Sequence, residues 1–228
     1  KKSGGITISH LRFADQPIQS AYLIDEADFI ACHNPSYIIW YDILSDLKEG
    51  GTFLLNTYVG VENIEEALPA AVKNILAKKK AKFYIIDARK ITDSIGLGNR
   101  INSVMQAAFF KLANVIPYAD AEKYMKEAIA KTFGRKGEKV VNMNNQSIDM
   151  AVEHLVEVKY PESWLTTTEG AAMADVADNE YYREFINPIN IQEGDKLPVS
   201  AFAPDGVVPL GTTKYEKRGV AVAVPEWI

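Results

Sequence analysis

The stretch best suited to ligand binding is DARKITDSIGLGNR, residues 87–100, which joins a predicted buried strand to a predicted helix. The carboxyl ends of strands in open α/β sheets face the binding crevice, and helix N-termini offer unpaired N–H groups to anions. Gly96 and Gly98 would let a ligand approach the backbone closely. The charges suited to neutralising phosphate are on Arg89, Lys90 and Arg100. The pattern lacks the third glycine of a dinucleotide fingerprint, so an ordinary turn is an equal alternative.

Two amide side chains mark the start of the helix that follows. Asn102 and Gln106 are four residues apart and therefore share one helical face. That face differs from the apolar one formed by Val104, Ala108 and Leu112. The pair suits an adenine, a pantetheine amide or a diphosphate, and it equally suits a capping residue followed by a solvated glutamine. The spacing alone leaves both interpretations open.

The chain opens with KKSGG, residues 1–5, where lysines beside flexible glycines suit phosphate contact, although a frayed terminus is the commoner case. His10, His33 and His154 are scattered without metal-ligand spacing. Cys32 lies in an apolar run and is predicted to be inert core. No nucleophile–base pair is apparent. We therefore expect neither a catalytic residue nor a metal site in this chain.

The composition is that of an ordinary soluble globular protein. It has 228 residues, 47% of them apolar and 24% charged. No apolar run approaches the ~20 residues needed to span a bilayer, and no signal peptide opens the chain. A single cysteine fits a reducing compartment, so we expect a cytoplasmic protein. The net charge is −5, with a balance of +1 in residues 1–161 and −6 in residues 162–228, which gives no support for nucleic-acid binding.

The first 160 residues alternate short apolar runs with amphipathic stretches, which predicts a layered α/β domain. The runs predicted to be strands are residues 6–13, 29–32, 52–56 and 83–87. The stretches predicted to be helices are residues 40–47 with a left-handed stop at Gly50-Gly51, 67–76 with its main part beginning at Pro69, 101–115, 120–133 with Asp120 as cap and Gly134 as stop, and 145–156.

The pattern weakens after Trp164. Residues 165–190 are acidic and weakly periodic, turn signals follow, and only Val220, Val222 and Val224 alternate as a strand would. We predict that residues 1–164 form an α/β three-layer sandwich with a mostly parallel sheet. Residues 165–228 are predicted to be a small irregular C-terminal appendage with too few apolar residues for its own core.

Several stretches together resemble the gamma region, or domain III, of pyruvate:ferredoxin (flavodoxin) oxidoreductases. The C-terminal YEKRG resembles the short module named for its Glu-Lys-Arg (EKR) signature. The matches follow the family's order along nearly the whole chain. The matching stretches are KKSGGITISHLRF at 1–13, ADFIACH at 27–33, GGTFLLN at 50–56, RINSVMQAAFFKL at 100–112 and YEKRG at 215–219.

The resemblance implies an α/β domain inside an enzyme that decarboxylates pyruvate oxidatively with coenzyme A and reduces ferredoxin or flavodoxin. It places thiamine diphosphate, magnesium and 4Fe-4S clusters in other domains of a homodimeric parent enzyme. A cubane cluster needs about four thiolates, so a chain with one cysteine cannot hold it. We expect an interior piece of that enzyme. The alternative is a non-catalytic structural domain that positions the thiamine and iron–sulfur domains.

The resemblance also implies where coenzyme A would bind. The implied positions are Lys1, Lys2, Ser3 and Gly4 of the opening motif and Asn102, Met105 and Gln106 of the helix motif. Two departures from the family pattern are expected to matter. The glycine-rich strand–turn–helix that precedes the opening motif in the family is absent, and Ala14 stands where a glycine usually follows Leu-Arg-Phe.

Overall fold

A single four-stranded sheet organises the part of the chain that the computed structural model describes, residues 6–19, 22–172, 179–212 and 225. Its strands are β1 (Ala27–Cys32), β2 (Leu47–Asn56), β3 (Lys82–Ile86) and β4 (Val156–Val158). They lie in the order β1-β2-β3-β4, with the first three parallel and β4 antiparallel to β3. The predicted α/β class and mostly parallel sheet are confirmed.

Eight α-helices accompany the sheet in the described residues. They are α1 (Tyr37–Trp40), α2 (Ile64–Ala67), α3 (Ala70–Lys78), α4 (Ala88–Ser94), α5 (Asn102–Ala113), α6 (Tyr118–Phe133), α7 (Glu138–Glu153) and α8 (Asn187–Asn190). The same residues also form short 3-10 turns at Gly134–Lys136, Glu162–Leu165, Gly194–Lys196 and Val199–Ala201, and a π-helical turn at Tyr182–Ile186.

Two hydrophobic cores cover the two faces of the sheet. Successive residues of β2 point to opposite faces, so Phe53 and Leu55 enter one core and Leu54 enters the other. The first core holds residues from α1, α2 and α3 together with Trp164. The second holds residues from α4, α5, α6 and α7. Helices on both faces of the sheet make the three layers that the sequence predicted.

The three apolar runs at 29–32, 52–56 and 83–87 correspond to β1, β2 and β3. The central strand β2 matches the expectation of burial on both faces, since Phe53, Leu54 and Leu55 are at most 1% exposed. In β1 only Cys32 is fully buried. The reason is that β1 is an edge strand of the described sheet, so its side chains have a neighbouring strand on one side only.

The strand predicted at residues 6–13 does not form. This segment has no regular structure and is largely exposed, with Phe13 at 56% exposure. Side chains hold it instead of a backbone ladder. Arg12 donates from Nη1 to the Tyr22 carbonyl at 2.5 Å and from Nη2 to the Leu23 carbonyl at 2.9 Å. The Ile24 amide donates to Nδ1 of His10 at 3.0 Å.

The helix predicted at 40–47 is also wrong. Helix α1 ends at Trp40, and Leu47 already belongs to β2. The carboxylate of Asp42 accepts hydrogen bonds from the amides of Leu44 and Ser45, at 3.3 and 3.1 Å, and so fixes a turn there. Gly50 is left-handed as predicted, with φ 73°. It serves an irregularity of β2, where the register with β1 shifts, and does not stop a helix.

The remaining helices lie where the sequence predicted them, but several of them begin or end at other residues than predicted. Helix α3 begins directly after Pro69, as predicted. Helix α6 begins at Tyr118, so Asp120 lies in its first turn instead of capping it, and Gly134 at φ −52° is not a left-handed stop. Helix α7 begins at Glu138, seven residues before the predicted start, and Val141 near its start already packs against the second core.

The segment just after the predicted domain boundary is fastened to α3. The Asn74 amide donates to the carbonyls of Trp164 and Thr167, at 2.7 and 3.1 Å. The Ala171 amide donates to the Leu68 carbonyl at 3.0 Å. Further on, residues 179–212 form short turns, and the predicted strand at Val220–Val224 lies outside the described residues. The division at residue 164 stays a prediction.

Replacing Gly170 with alanine is expected to detach this segment and cost about 1–3 kcal/mol of stability. A Cβ there would lie 2.3 Å from the Leu68 carbonyl oxygen and 2.8 Å from the Ala70 nitrogen, and both are backbone atoms. Chemical denaturation and hydrogen exchange at the Ala171 amide measure the effect. Gly134→Ala is the matched control, because its Cβ would meet nothing within 4 Å. Equal stability of the two variants would contradict the described packing.

Candidate functional site

A cleft of about 570 Å³ opens at the carboxyl ends of β1, β2 and β3. Ligand sites in proteins commonly enclose about 300–1,000 Å³, and in open α/β sheets they occur at this edge. The sequence predicted a crevice here, and the structure contains one. Its lining residues are Pro35, Asn56, Thr57, Tyr58, Asp87, Arg89, Lys90 and Asp93.

Asn56, the last residue of β2, builds the floor of the cleft. Its Nδ2 donates to the His33 carbonyl at 2.9 Å, and its Oδ1 accepts from the Ala88 amide at 3.0 Å. One side chain therefore ties the end of β1 to the start of α4. The next residue, Thr57, continues the link to β3 by donating its amide to the Ile86 carbonyl at 2.9 Å. These bonds fix the relative positions of the three strand ends.

The charged groups of the cleft belong to α4 and its cap. Oδ1 of Asp87 accepts a hydrogen bond from the Lys90 amide at 2.9 Å and so caps the helix. Nε of Arg89 donates to Asp93 at 2.7 Å, in an ion pair whose side chains are about half exposed. Both carboxylates are thus already engaged. Lys90 is exposed, and its ammonium has no ion-pair partner in the described part of the chain.

The stretch predicted as a ligand loop contains α4 and a short connection to α5. The buried hydroxyl of Thr92 donates to the Gly98 carbonyl at 2.5 Å and so holds this connection. Gly96 and Gly98 have left-handed backbone conformations, with φ angles of 78° and 58°. Residues that carry a Cβ rarely adopt this conformation. A Cβ on Gly98 would have nothing within 4 Å. The backbone at Gly98 is therefore open to an approaching group.

The predicted coenzyme A residues that the structure describes lie on α5. Asn102 is its first residue, and both Asn102 and Gln106 are exposed. Neither side chain has a hydrogen-bond partner within the described ranges. Met105 is 3% exposed and packs in the core between the sheet and α4–α7. Lys1, Lys2, Ser3 and Gly4 lie outside the described residues.

The direction of α5 places its amide pair at the same end of the sheet as the cleft. The Phe109 ring packs against Phe29, near the start of β1, with centroids 5.2 Å apart. Asn102 precedes Phe109 by seven residues, or about 10 Å of helix. The start of α5 therefore lies toward the carboxyl ends of the strands. The connection held by Thr92 joins it to α4, which lines the cleft.

Cys32 is the last residue of β1, and His33 follows it. Burial raises the pKa of the Cys32 thiol to about 12, and Sγ lies 3.0 Å from the Asn34 carbonyl oxygen as a hydrogen-bond donor. Burial also lowers the pKa of His33. Both groups are thus uncharged near neutral pH. The buried cysteine agrees with the inert core residue that the sequence predicted.

Sequence reasoning missed Asn56 and Tyr58. The only available signal was their position at the end of a predicted buried strand, Asn56 as its last residue and Tyr58 two residues further on. Among the described residues, no cluster of His, Cys, Asp or Glu could hold a metal ion. In the same part of the chain, no helix has both the length and the apolar character needed to cross a bilayer.

The open, mostly parallel sheet with helices on both faces and a cleft at its strand ends defines a layered α/β domain. The family model described as pyruvate ferredoxin/flavodoxin oxidoreductase matches residues 1–154, and a second model, EKR, described as a domain of unknown function, matches residues 170–221. The chain belongs to the pyruvate ferredoxin/flavodoxin oxidoreductase family.

Curated relatives match along the whole chain. A pyruvate:ferredoxin oxidoreductase of Moorella thermoacetica is 57% identical over 100% of this chain, which covers 19% of that protein. A pyruvate-flavodoxin oxidoreductase of Enterobacter agglomerans is 47% identical, again over 100% of this chain and 19% of the relative. A pyruvate dehydrogenase [NADP(+)] of Cryptosporidium parvum is 40% identical over 99% of this chain and 13% of the relative. The chain thus spans about a fifth or less of these relatives' length.

Among solved structures, subunit PORC of the pyruvate oxidoreductase of Thermotoga maritima is similar to this chain with a TM-score of 0.46. It is 18% identical, and the match covers 60% of this chain and 67% of the subunit.

Proposed function

We propose that this chain works as part of a larger pyruvate:ferredoxin or flavodoxin oxidoreductase and contributes to its binding of coenzyme A. That parent enzyme would convert pyruvate and coenzyme A to acetyl-CoA and pass electrons to ferredoxin or flavodoxin. The observation that carries the proposal is the identity of 57% and 47%, over the whole chain, to proteins named as a pyruvate:ferredoxin and a pyruvate-flavodoxin oxidoreductase.

In this role the region would carry no catalytic residue. Thiamine diphosphate with magnesium, which supplies an electron sink for decarboxylation, and the 4Fe-4S clusters would be bound by other domains of the parent enzyme. We further propose that the parent is a cytoplasmic homodimer. The role left to this chain is to hold a substrate at the sheet edge, where its described cleft and the exposed amides of α5 lie.

The start of α5 supports a role in coenzyme A binding. Asn102 and Gln106 present amides on one exposed face, without hydrogen-bond partners among the residues that the structure describes, and amides can both donate to and accept from an adenine or a pantetheine amide. Met105 packs beneath them and holds this face in place. Lys1 and Lys2 would contact phosphate, while Ser3 and Gly4 would let the backbone approach it.

Loss of these contacts should weaken the binding of coenzyme A more than the binding of pyruvate. A hydrogen bond to a charged group contributes about 1.5–3 kcal/mol, so Lys2→Ala in the parent enzyme should raise the apparent constant for coenzyme A about 10- to 100-fold. For the neutral amide in Asn102→Ala we expect about a three- to ten-fold rise. Steady-state kinetics with each substrate varied in turn measures both. The constant for pyruvate should stay nearly unchanged, as should both constants in the control Lys123→Ala, an exposed lysine of α6.

A structural role is the second candidate, and large exposed apolar side chains favour it. Val199 and Leu210 are 90% and 99% exposed, which suits surfaces that other domains cover. A purely structural domain predicts equal losses for coenzyme A and pyruvate when Asn102 is changed. It also predicts losses that follow the melting temperature. Unchanged kinetics in both variants would remove Lys2 and Asn102 from the site.

A further inference from the structure

The cleft at the strand ends contains none of the residues assigned above to coenzyme A. We propose that it binds the 3′-phosphoadenosine end of coenzyme A, with the adenine stacked on Tyr58 and the 3′-phosphate held by Lys90 and Arg89. The inference rests on the proposed function and adds a second set of contacts to it. The volume of about 570 Å³ is sufficient for a nucleotide.

Tyr58 supplies the aromatic surface. It lies two residues after the end of β2 and is 69% exposed. Its ring is not stacked on another aromatic side chain among the described residues. An exposed ring at the mouth of a cleft offers a face on which a purine base can stack. The backbone beneath it is fixed, since the Val59 amide donates to the Thr57 hydroxyl at 3.1 Å.

Lys90 and Arg89 supply the positive charge. The two acidic side chains that line the same cleft already accept hydrogen bonds, Asp87 from the Lys90 amide at the helix cap and Asp93 from Nε of Arg89. The ammonium of Lys90 and the two Nη groups of Arg89 remain to donate hydrogen bonds to a phosphate. A cleft whose formal charges balance can therefore still offer cationic donors to an anion.

The position of α5 connects the two sets of contacts. Helix α4 carries the basic pair, and its C-terminal end leads through the connection at Gly98 to Asn102. A ligand whose adenosine lies in the cleft can extend along this connection, where the open backbone at Gly98 leaves room. The diphosphate and pantetheine would then reach the amides of α5.

Calorimetry on the intact parent enzyme tests the assignment with three probes: coenzyme A, adenosine 3′,5′-bisphosphate and pantetheine. Tyr58→Ala should lower the affinity for coenzyme A and for the bisphosphate about ten-fold each and leave the affinity for pantetheine unchanged. Tyr58→Phe should bind like the wild type, because the ring face alone is used. Lys90→Ala should lower the affinity for coenzyme A about ten-fold. It should lower the affinity for dephospho-coenzyme A, which lacks the 3′-phosphate, much less.

Two exposed residues away from the cleft serve as matched controls. Tyr124→Ala on α6 and Lys78→Ala on α3 should leave all affinities unchanged. Wild-type affinity in both cleft variants, together with weakened binding in Asn102→Ala, would overturn the cleft assignment and leave the proposed function standing. Equal weakening of pantetheine would also overturn it. If the wild-type enzyme bound no coenzyme A, the proposed function itself would fail.

Discussion

Replacing Trp164 with alanine is expected to lower the free energy of unfolding by about 3–5 kcal/mol. The indole is 2% exposed in the core that joins the sheet to α1–α3. It stacks on Tyr160 with ring centroids 5.0 Å apart and planes 8° apart, and its Nε1 donates to Glu65 at 3.0 Å. Truncation would remove the largest fully buried side chain of the described residues and leave a cavity. Urea denaturation followed by circular dichroism measures the loss.

The Trp164 result bears on where the first domain ends, since this residue is the last one before the predicted boundary. Tyr160→Phe is the matched control, because it keeps the stacked ring and loses only a hydroxyl within 2.6 Å of the Ala81 carbonyl and 3.0 Å of the Leu76 carbonyl. That change should cost only about 1 kcal/mol. A loss of less than 1 kcal/mol for Trp164→Ala would mean that the chain near residue 164 does not belong to the core of the α/β domain.

The sheet was predictable because its strands leave a strong trace in the sequence. Parallel strands covered on both faces read as continuous apolar runs, and TFLLN and FYIID are such runs. Both form strands, and they pair in register from Thr52 with Lys82 to Asn56 with Ile86. The amphipathic helix α5 was equally clear, because one face of it must fill the second core.

The errors arose where local pattern and tertiary structure disagree. The run from Trp40 to Leu47 has helical spacing, yet the Asp42 carboxylate caps a turn and Leu47 is needed as the first residue of β2. Residues 6–13 alternate as a strand does, but a strand needs a partner with a matching backbone edge. Within the described chain, the side chains of His10 and Arg12 bind the backbone of residues 22–24 instead.

The cleft could be foreseen only in outline. Its walls come from residues at or just after the ends of three strands and from α4, so residues 35, 56–58, 87, 89, 90 and 93 meet only after the sheet has formed. The sequence indicated that Arg89 and Lys90 follow a buried strand. It carried no information on which strand would be the neighbour of β3, and therefore none on the position of Tyr58 opposite them. The hydrogen bonds of individual side chains, such as the two made by Asn56, can be seen only in the folded structure.

At pH 8 the thiol of Cys32 is expected to react with iodoacetamide at least about a thousand times more slowly than an ordinary cysteine. Burial raises its pKa from the usual 9.0 to about 12, and only the thiolate is nucleophilic. The folded state therefore keeps this proton at a pH where the unfolded chain loses it. The stability that the neutral thiol contributes is complete below pH 9 and is lost as the pH rises through about 12.

Mass spectrometry of the intact protein, sampled over time with and without urea, measures the modification of this one cysteine. The unfolded chain provides the reference rate, since the same thiol is then solvated. Rapid modification of the native protein at pH 8 would show that the end of β1 opens to solvent, because a closed strand end leaves Cys32 only 4% exposed. Such opening would also move His33 and Asn34, whose backbone borders the cleft, and would make the cleft a structure that forms only part of the time.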